Sequence, residues 1–289
     1  MSAFALYEPY EFLWFFLIYA FLGWCTEVAY AAACRGIFVN RGFLNGPVCP
    51  VYGFGMVLVI VALTPLLDSK LLLFGGAFVL TSALEWVTGF VLEKCFHDKW
   101  WDYSDMPFNL NGYICLKFSL IWGFACVLIM DILHPTIVRF VDWIPRMLGW
   151  TGVSCLLLMM AADAGVTAAS ILKWNRKMEH MNEIAEKMRE ISERLGESIS
   201  EDVLDLMEKS EELKEKSENV RAELREDIQE EVERKQAALR REAKELHRRY
   251  EELAEKRTYI HKRIVRAFPD MKSRIYEDIL EDIKGRYNL

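Results

Sequence analysis

The sequence predicts an all-α protein with two parts: a polytopic helical membrane domain of about five spans in residues 1–174, and a long cytoplasmic coiled-coil tail in residues 175–289. The first observation behind this is charge: 21 charged residues lie in residues 1–174 and 56 in residues 175–289. The second is a hydrophobic motif that occurs twice in the apolar part. The third is helical spacing of apolar residues in the tail.

Five apolar stretches reach the length of roughly 20 residues that a membrane-spanning helix needs. The predicted spans are residues 11–33, 48–67, 71–95, 113–133 and 148–172. Between the fourth and fifth, "HPTIVRFVDWIPRMLGW" mixes Arg, Asp and Trp, which favours a short segment in the membrane interface. The N-terminus lacks a basic region and a small-residue cleavage site, so we expect a first span and not a signal peptide.

Orientation follows from Lys and Arg in the short loops. The loops after spans one and three carry two basic residues each, the exit of the last span carries three, and the loop after span two has only Lys70. The loop after span four, with Arg139 and Arg146, fits less well. The best fit puts the N-terminus outside and the tail in the cytoplasm.

The repeated motif is "FLNGPVCPVYGFG", residues 43–55, which returns 66 positions later within "NLNGYICLKFSLIWG". The same offset relates Gly23 to Gly89 and Glu27 to Glu93, giving Gly-x-x-x-Glu twice. It also maps Leu44, Asn45, Gly46, Val48, Cys49 and Tyr52 onto Leu110, Asn111, Gly112, Ile114, Cys115 and Phe118. We therefore predict two parallel helix–loop–helix repeats, at about 11–67 and 71–133, related by a pseudo-twofold axis along the membrane normal.

The Asn-Gly pair before the second helix of each repeat has two interpretations. Glycine permits a tight entry into the span, and the asparagine side chain can cap the exposed amides at the helix start. Irregular backbone at membrane depth needs protein or water around it, so the two loops are predicted to line a buried vestibule. Alternatively, the pairs simply form two tight turns.

Charged residues within predicted spans are expensive, at about 2.5–3.5 kcal/mol each on insertion scales, and they mark candidate ligand or transport pathways. The candidates, with polar residues of the adjoining loops, are Glu27, Arg41, Asn45, Glu85, Glu93, Asp102, Asn111, Lys117 and Asp163. Lys117 is the basic residue placed to neutralise the carboxylates. We expect no cofactor and no metal; the weak candidates for a soft metal are Cys49, His97 and Cys115, and the alternative for this end is hydrogen bonding between helices.

The tail carries apolar residues at steps of three and four. The first set is Met181, Ile184, Met188, Ile191 and Leu195, and a second runs from Val203 to Val232. Gly196 predicts a break with an N-cap at Ser200, Pro269 predicts the end of the long helix, and a short terminal helix is expected beyond it. The apolar seam, within residues 175–260, folds back as a hairpin, pairs with a second copy or meets a helical partner. With 30 acids and 26 bases interspersed, the tail predicts no nucleic-acid partner.

The motifs "GWCTEV", "NRGFLNGPVCPVYGFG" and "WWDYSDMPFNLNGYICLKFSLIWG" resemble the bacterial membrane-protein family named putative ABC-transporter type IV, over roughly residues 10–130. The resemblance implies a permease-like protein in the lipid bilayer that moves a small solute or ion, here along the interface of the repeats. The chain has no phosphate-loop or catalytic motif, so we predict that it is not an enzyme and that any ATPase is a separate subunit. The alternative function is a membrane-anchored scaffold that acts through its coiled coil.

Overall fold

The structure is a computed structural model that describes residues 3–212, 218–256 and 259–286. The chain forms two compact units, residues 1–175 with 258–289 and residues 176–257. One boundary lies near residue 175, where the apolar part of the sequence is followed by the charged part. The C-terminal residues differ from the sequence prediction, because they pack with the membrane helices instead of continuing the charged tail.

Nine α-helices and four short strands make up the described part of the chain. The helices are α1 (Pro9–Arg35), α2 (Pro50–Leu63), α3 (Lys70–Phe96), α4 (Leu116–Leu128), α5 (His134–Trp143), α6 (Arg146–Glu212), α7 (Glu218–Glu255), α8 (Tyr259–Ala267) and α9 (Glu277–Arg286). The strands are β1 (Asp98–Lys99), β2 (Asn109–Leu110), β3 (Ile114–Cys115) and β4 (Lys272–Ser273). Antiparallel pairing joins β1 to β4 and β2 to β3.

Four helices of the described chain are long and apolar enough to cross a membrane, which confirms an all-α membrane protein. They are Pro9–Arg35, Lys70–Phe96, Leu116–Trp143 and Arg146–Ser200. The predicted second span corresponds to a shorter apolar helix, Pro50–Leu66, in which a 3₁₀ turn extends α2. The segment predicted to lie in the interface is helical, because a π-turn at Ile129–Leu133 joins α4 directly to α5.

Small residues bring the apolar helices together. Gly53 on α2 lies so close to α1 that an added Cβ would be 2.4 Å from the Phe16 carbonyl oxygen. Gly55 on the same helix faces Leu84 of α3, where a Cβ would be 2.8 Å from a leucine methyl. In a bilayer, where lipid is as apolar as leucine, such close van der Waals contact is a main source of helix association. The order of packing is therefore α1 on α2, α2 on α3 and α3 on α4.

The unit formed by residues 176–257 runs out along α6 and returns along α7. Near its two ends, Lys177 Nζ donates a hydrogen bond to the Lys256 carbonyl at 2.9 Å, so the chain folds back on itself as a helical hairpin. The predicted break at Gly196 is wrong, since α6 continues through it to Glu212. One glycine costs a helix interior only about 1 kcal/mol, which the neighbouring turns offset. Part of the predicted apolar seam, including Leu213, lies outside the described residues.

Candidate functional site

Asp163 of α6 binds the first Asn-Gly pair, Asn45 and Gly46, by hydrogen bonds. Its carboxylate accepts hydrogen bonds from the Asn45 amide N–H (3.2 Å), the Asn45 side-chain Nδ2 (2.7 Å) and the Gly46 amide N–H (2.7 Å). Thr167, one turn along α6, accepts a further bond from Asn45 Nδ2 at 3.0 Å. Three donors on one carboxylate fix the loop backbone against the last membrane helix.

The prediction that Asn45 caps the next helix is therefore wrong, because its side chain is taken by Asp163 and Thr167. The residue at the N-cap of α2 is Cys49, and the residue at the N-cap of α4 is Cys115, the two related by the repeat offset. Neither makes a side-chain capping bond.

The second Asn-Gly pair forms a tight turn. Asn111 and Gly112 both have positive φ, at 56° and 70°, and the Tyr113 amide donates to the Leu110 carbonyl at 3.1 Å. Positive φ at both central residues is what a type I′ turn requires, and this turn lies in the three-residue connection between β2 and β3. The two copies of the motif thus do different work: the first is bound by an acidic residue, and the second supports the tight-turn interpretation.

The first Gly-x-x-x-Glu places its two residues one turn apart on the same face of α1. Gly23 leaves room for the ring of Tyr52, since a Cβ there would lie 2.3 Å from Tyr52 Cγ. The Tyr52 hydroxyl then donates to the Glu27 carboxylate at 2.5 Å. Arg41 of the following loop completes the group, with its Nε 3.3 Å from Glu27 Oε2.

The second Gly-x-x-x-Glu is used in the same way by α3. Gly89 leaves room for the ring of Tyr113, whose hydroxyl donates to Glu93 at 2.6 Å. Burial and the neighbouring Glu93 charge raise the pKa of Tyr113 to about 12, so it stays a donor. The cation comes from elsewhere, because Arg274 near the C-terminus donates to Glu93 at 3.3 Å. Each carboxylate therefore has a tyrosine and an arginine.

A third carboxylate, that of Glu85, lies within electrostatic range of Glu27. Glu85 of α3 accepts from the Tyr103 hydroxyl at 3.4 Å, and the Tyr103 ring stacks on Phe118 at 5.0 Å. The ring of Tyr52 contacts Trp122 of α4 at 5.6 Å, so the Glu27 group extends to the other helix pair. Lys117 is exposed, with its ammonium 5.7 Å from the Phe118 ring centre, and among the described residues the ion pairs of Glu27 and Glu93 are made by arginines instead.

The C-terminal segment, residues 259–286, packs across the loops that follow α1 and α3. On the first loop, the buried Arg263 of α8 donates to the Gly42 carbonyl at 2.7 Å and the Phe43 carbonyl at 2.9 Å. In return, Arg35 at the end of α1 donates to the Arg266 carbonyl at 3.0 Å. The segment and the first loop are thus joined mainly by arginine side chains that donate to backbone carbonyl oxygens.

On the second loop, β4 of the C-terminal segment pairs with β1, with Asp98 opposite Ser273 and Lys99 opposite Lys272. Lys99 and Lys272 both donate to Asp102, at 3.1 and 2.8 Å. Burial acts to raise the pKa of the Asp102 carboxyl, but hydrogen bonds from Lys272, Ser104 and Lys99 outweigh it and hold that pKa well below its usual range. Asp102 is therefore an anionic link between the loop and the segment.

Asp98 is the buried carboxyl of this contact, with only 2% of its surface exposed. Burial raises its pKa to about 7, a hydrogen bond with Ser273 opposes the rise, and the charge of Glu277 adds to it. It lines a cavity of about 10 Å³ together with Trp100, Ile171, Trp174, His261, Ile264, Val265 and Met271. That volume is at the lower limit for one water molecule.

The raised pKa of Asp98 predicts that the fold loses stability as pH rises. The unfolded chain ionises this carboxyl near pH 4, whereas the folded chain does so near pH 7, so the stabilisation is full below pH 4 and is lost on passing through pH 7. The shift corresponds to about 4 kcal/mol. We expect thermal unfolding in detergent to move to lower temperature between pH 5.5 and 8, and Asp98→Asn to make that change smaller. The exposed Asp105→Asn is the matched control; an unaltered pH profile in Asp98→Asn would contradict the assignment.

The residues considered for a soft metal lie at helix ends. Cys49 and Cys115 begin α2 and α4, and His97 ends α3 with a positive φ of 60° and a carbonyl that accepts from the Arg274 amide. Within the described residues, no cluster of three His, Cys, Asp or Glu side chains has the arrangement to hold a metal ion.

The contributors to the site that were not predicted from the sequence include Tyr52, Tyr113, Arg263 and Arg274. The tyrosines are not equivalent under the repeat offset, because Tyr52 maps to Phe118 and Tyr113 maps to Pro47. For Arg263, the signal is "YIHKRIVRA", in which a basic residue falls on the apolar face of a strongly amphipathic helix. For Arg274, nothing in the local pattern indicates a partner 181 residues away.

Comparison with known proteins agrees with the sequence resemblance and with these helices. No curated protein and no solved structure matches the chain. Residues 14–168, more than half of the chain, match the family described as "Putative ABC-transporter type IV". This range includes the Glu27, Glu85 and Glu93 groups together with Asp163. The chain is therefore a membrane protein that belongs to the Putative ABC-transporter type IV family.

Proposed function

We propose that this protein is a permease-like transporter that moves a small solute or an ion along the interface of two internal repeats. In this proposal α1 with α2 is the first repeat and α3 with α4 the second, and the short helix α2 completes five spans. The loops and the helical hairpin face the cytoplasm of a bacterial cell, and the N-terminus lies outside. The family match and the apolar helices support a role in membrane transport.

The observation that carries the proposal is the Glu27 group. A carboxylate in a membrane helix is costly unless it is paired, and here it is paired by Tyr52 and Arg41. The ring of Tyr52 reaches Trp122 of the other helix pair, so the charge lies at the proposed interface and not against lipid. When a cation or proton binds Glu27, Arg41 is released. When that cation or proton leaves, the ion pair between Glu27 and Arg41 forms again. Such an exchange lets the carboxylate bind and release the transported cation or proton without ever being an unpaired charge.

Glu93 and Glu85 extend the proposed pathway. Glu93 makes the same exchange with Tyr113 and Arg274 as its partners. Glu85, which accepts a hydrogen bond from Tyr103, is the third carboxylate of the pathway. Lys117, Asp102, Asn45, Asn111 and Asp163 belong to the pathway or its walls in this proposal. Energy from ATP, where it is used, comes from a separate ATPase subunit, because the chain has no phosphate-binding loop.

Charge-neutral substitution of the two glutamates tests the proposal. In proteoliposomes we expect Glu27→Gln and Glu93→Gln each to lower flux by about tenfold or more, because Gln cannot exchange a cation for its arginine. Flux is followed with an entrapped pH dye for protons and with labelled sodium and potassium ions. Glu8→Gln, whose side chain is exposed before α1, is the matched control, and Lys117→Met tests an exposed basic pathway candidate. Wild-type flux in both glutamate variants, with the fold intact, would contradict the proposed pathway.

The second candidate function is a membrane-anchored scaffold, and the helical hairpin of residues 176–257 favours it. Lys177 and Lys256 are already in contact, so residues 178–255 are replaceable by a short glycine linker that leaves the C-terminal segment in place. A scaffold loses its partner or its self-association in that variant, whereas a transporter keeps its flux. Size-exclusion chromatography and the flux assay, applied to the same protein, separate the two.

A further inference from the structure

The C-terminal segment contributes a charge that the second repeat lacks. In the first repeat, the arginine that pairs with Glu27 is Arg41, from the repeat's own loop. The position equivalent to Arg41 in the second repeat is Pro107. Arg274 replaces it from outside the repeat, and the Glu93 side chain it contacts is only 14% exposed. Removing the segment therefore leaves an inward-facing carboxylate without its cation.

The same segment closes the first loop through one buried side chain. Arg263 is 8% exposed, and its two hydrogen bonds end on the carbonyls of Gly42 and Phe43. Gly42 in turn lies against the Val48 carbonyl, where a Cβ would be 3.2 Å away, and Cys49 lies within electrostatic range of the Arg263 guanidinium. Arg263 is thus positioned over the entrance to α2.

The segment also contacts the last membrane helix: the His261 ring lies 4.5 Å from the ring of Trp174, and His261 Nε2 lies 3.1 Å from the Ser170 carbonyl oxygen. The β1–β4 ladder has two residue pairs. The apolar contact with the first loop consists of Ala267 and Phe268 against Ala31 and Val39. On the second loop, Trp100 packs against Phe268 with ring centres 5.0 Å apart. Release therefore requires the ion pairs, the two-pair ladder and these apolar contacts to open together, as one local cooperative unit of the fold.

We propose that the C-terminal segment is a releasable lid: docked, it covers both loops and neutralises Glu93; released, it opens the cytoplasmic entrance between the repeats. Residues 176–257 are its covalent link to the last membrane helix, so the segment stays attached to the protein when it is released. The effect on flux rests on the proposed function, whereas docking and release do not.

Alkylation of the native Cys49 reports release directly. Cys49 is buried beneath Arg263, whereas Cys34 and Cys95 are exposed at the ends of α1 and α3 and serve as internal controls for reagent access. The full-length protein in inside-out vesicles is treated with a membrane-impermeant maleimide, and labelling is quantified for each cysteine by mass spectrometry. We expect Arg263→Gln to raise the Cys49 rate by about tenfold or more, because two charge-assisted bonds are lost. Lys262→Gln, an exposed neighbour on the same helix, should leave it unchanged.

A reversible lock separates release from misfolding. Lys99 and Lys272 are directly opposed in the β1–β4 ladder and point to the same carboxylate, so cysteines at both positions have the placement for a disulfide. In the Arg263→Gln background, oxidation of this pair should return Cys49 to its protected state, and reduction should expose it again. A variant that has merely lost its fold shows no such rescue.

Each outcome decides the proposal. It stands if Arg263→Gln exposes Cys49, the lock protects it, and flux rises in Arg263→Gln and falls on oxidation. It is overturned if Cys49 labelling matches the wild type in Arg263→Gln, or if Lys262→Gln exposes it equally. It is also overturned if the lid moves while flux, itself sensitive to Glu27→Gln, stays constant. Flux that is insensitive to Glu27→Gln ends the proposed function instead, and the labelling result still decides whether the lid opens.

Discussion

Gly53→Ala is expected to lower the stability of the membrane domain by about 3 kcal/mol, the upper end of the range for overpacking. The added methyl would be 2.4 Å from the carbonyl oxygen of Phe16 and 2.7 Å from a carbon of its ring. A side chain can rotate away from such a clash, but a backbone oxygen of α1 moves only if the two helices separate. Separation also disturbs the neighbouring pair of Gly23 and Tyr52, which sets the position of the Glu27 partner.

Gly75→Ala is the matched control, because no atom lies within 4 Å of a Cβ at that position of α3. There we expect no loss, and a gain of roughly 0.5–1 kcal/mol from the better helix propensity of alanine. Thermal unfolding of both variants in one detergent, followed by tryptophan fluorescence, measures the difference. Equal unfolding temperatures for the two would show that α1 and α2 are not in backbone contact at Gly53.

Asp163→Ala is expected to release the first loop from the last membrane helix, at a cost of about 3–4 kcal/mol. The carboxylate is the acceptor for two backbone amides and one side-chain amide, and alanine leaves all three donors without it. Such bonds to a charged acceptor are individually strong but not additive, so the estimate is smaller than their sum. Loosening should be greatest near Asn45 and Gly46.

Limited trypsin digestion in inside-out vesicles gives the local measurement, since Arg41 lies in the loop and is partly covered. We expect cleavage after Arg41 to accelerate in Asp163→Ala, with Asp163→Glu in between because it keeps the charge but not the reach. Asp142→Ala, an exposed acidic residue of α5, should digest like the wild type. Unchanged cleavage in Asp163→Ala would mean that the loop is held by its own turn alone.

The sequence predicted the features that depend on composition and short spacing. Hydropathy located the long membrane helices, and the Gly-x-x-x-Glu pattern pointed to the carboxylates that prove to be paired. The purpose of the glycine was not predictable, because the ring it admits comes from Tyr52 in one case and from Tyr113 in the other. Equivalent carboxylates thus find chemically identical partners from positions that an alignment of the repeats does not relate.

The contacts that escaped prediction are those between distant parts of the chain. Asp163 and Asn45 are 118 residues apart, and Arg263 and Gly42 are 221 residues apart. Local pattern specifies a helix and its apolar face, but it does not specify which distant backbone oxygens an arginine on that face will reach. For the same reason the charge pattern predicts one domain over residues 175–289, although α8 and α9 belong to the same compact unit as the membrane helices.

The 221 residues between Gly42 and Arg263 also have a meaning for biogenesis. Chains grow at about 5–20 residues per second, so roughly 11–44 seconds pass between synthesis of the first loop and synthesis of the arginine that covers it. During that interval the later membrane helices are synthesised and inserted, while the first loop is not yet covered by the C-terminal segment. A ribosome that stops early releases a protein with every span and no cover over them. Synthesis of α8 is thus the step that allows the first loop to be covered, and a quality-control protease that recognises uncovered loops would act on chains that lack it.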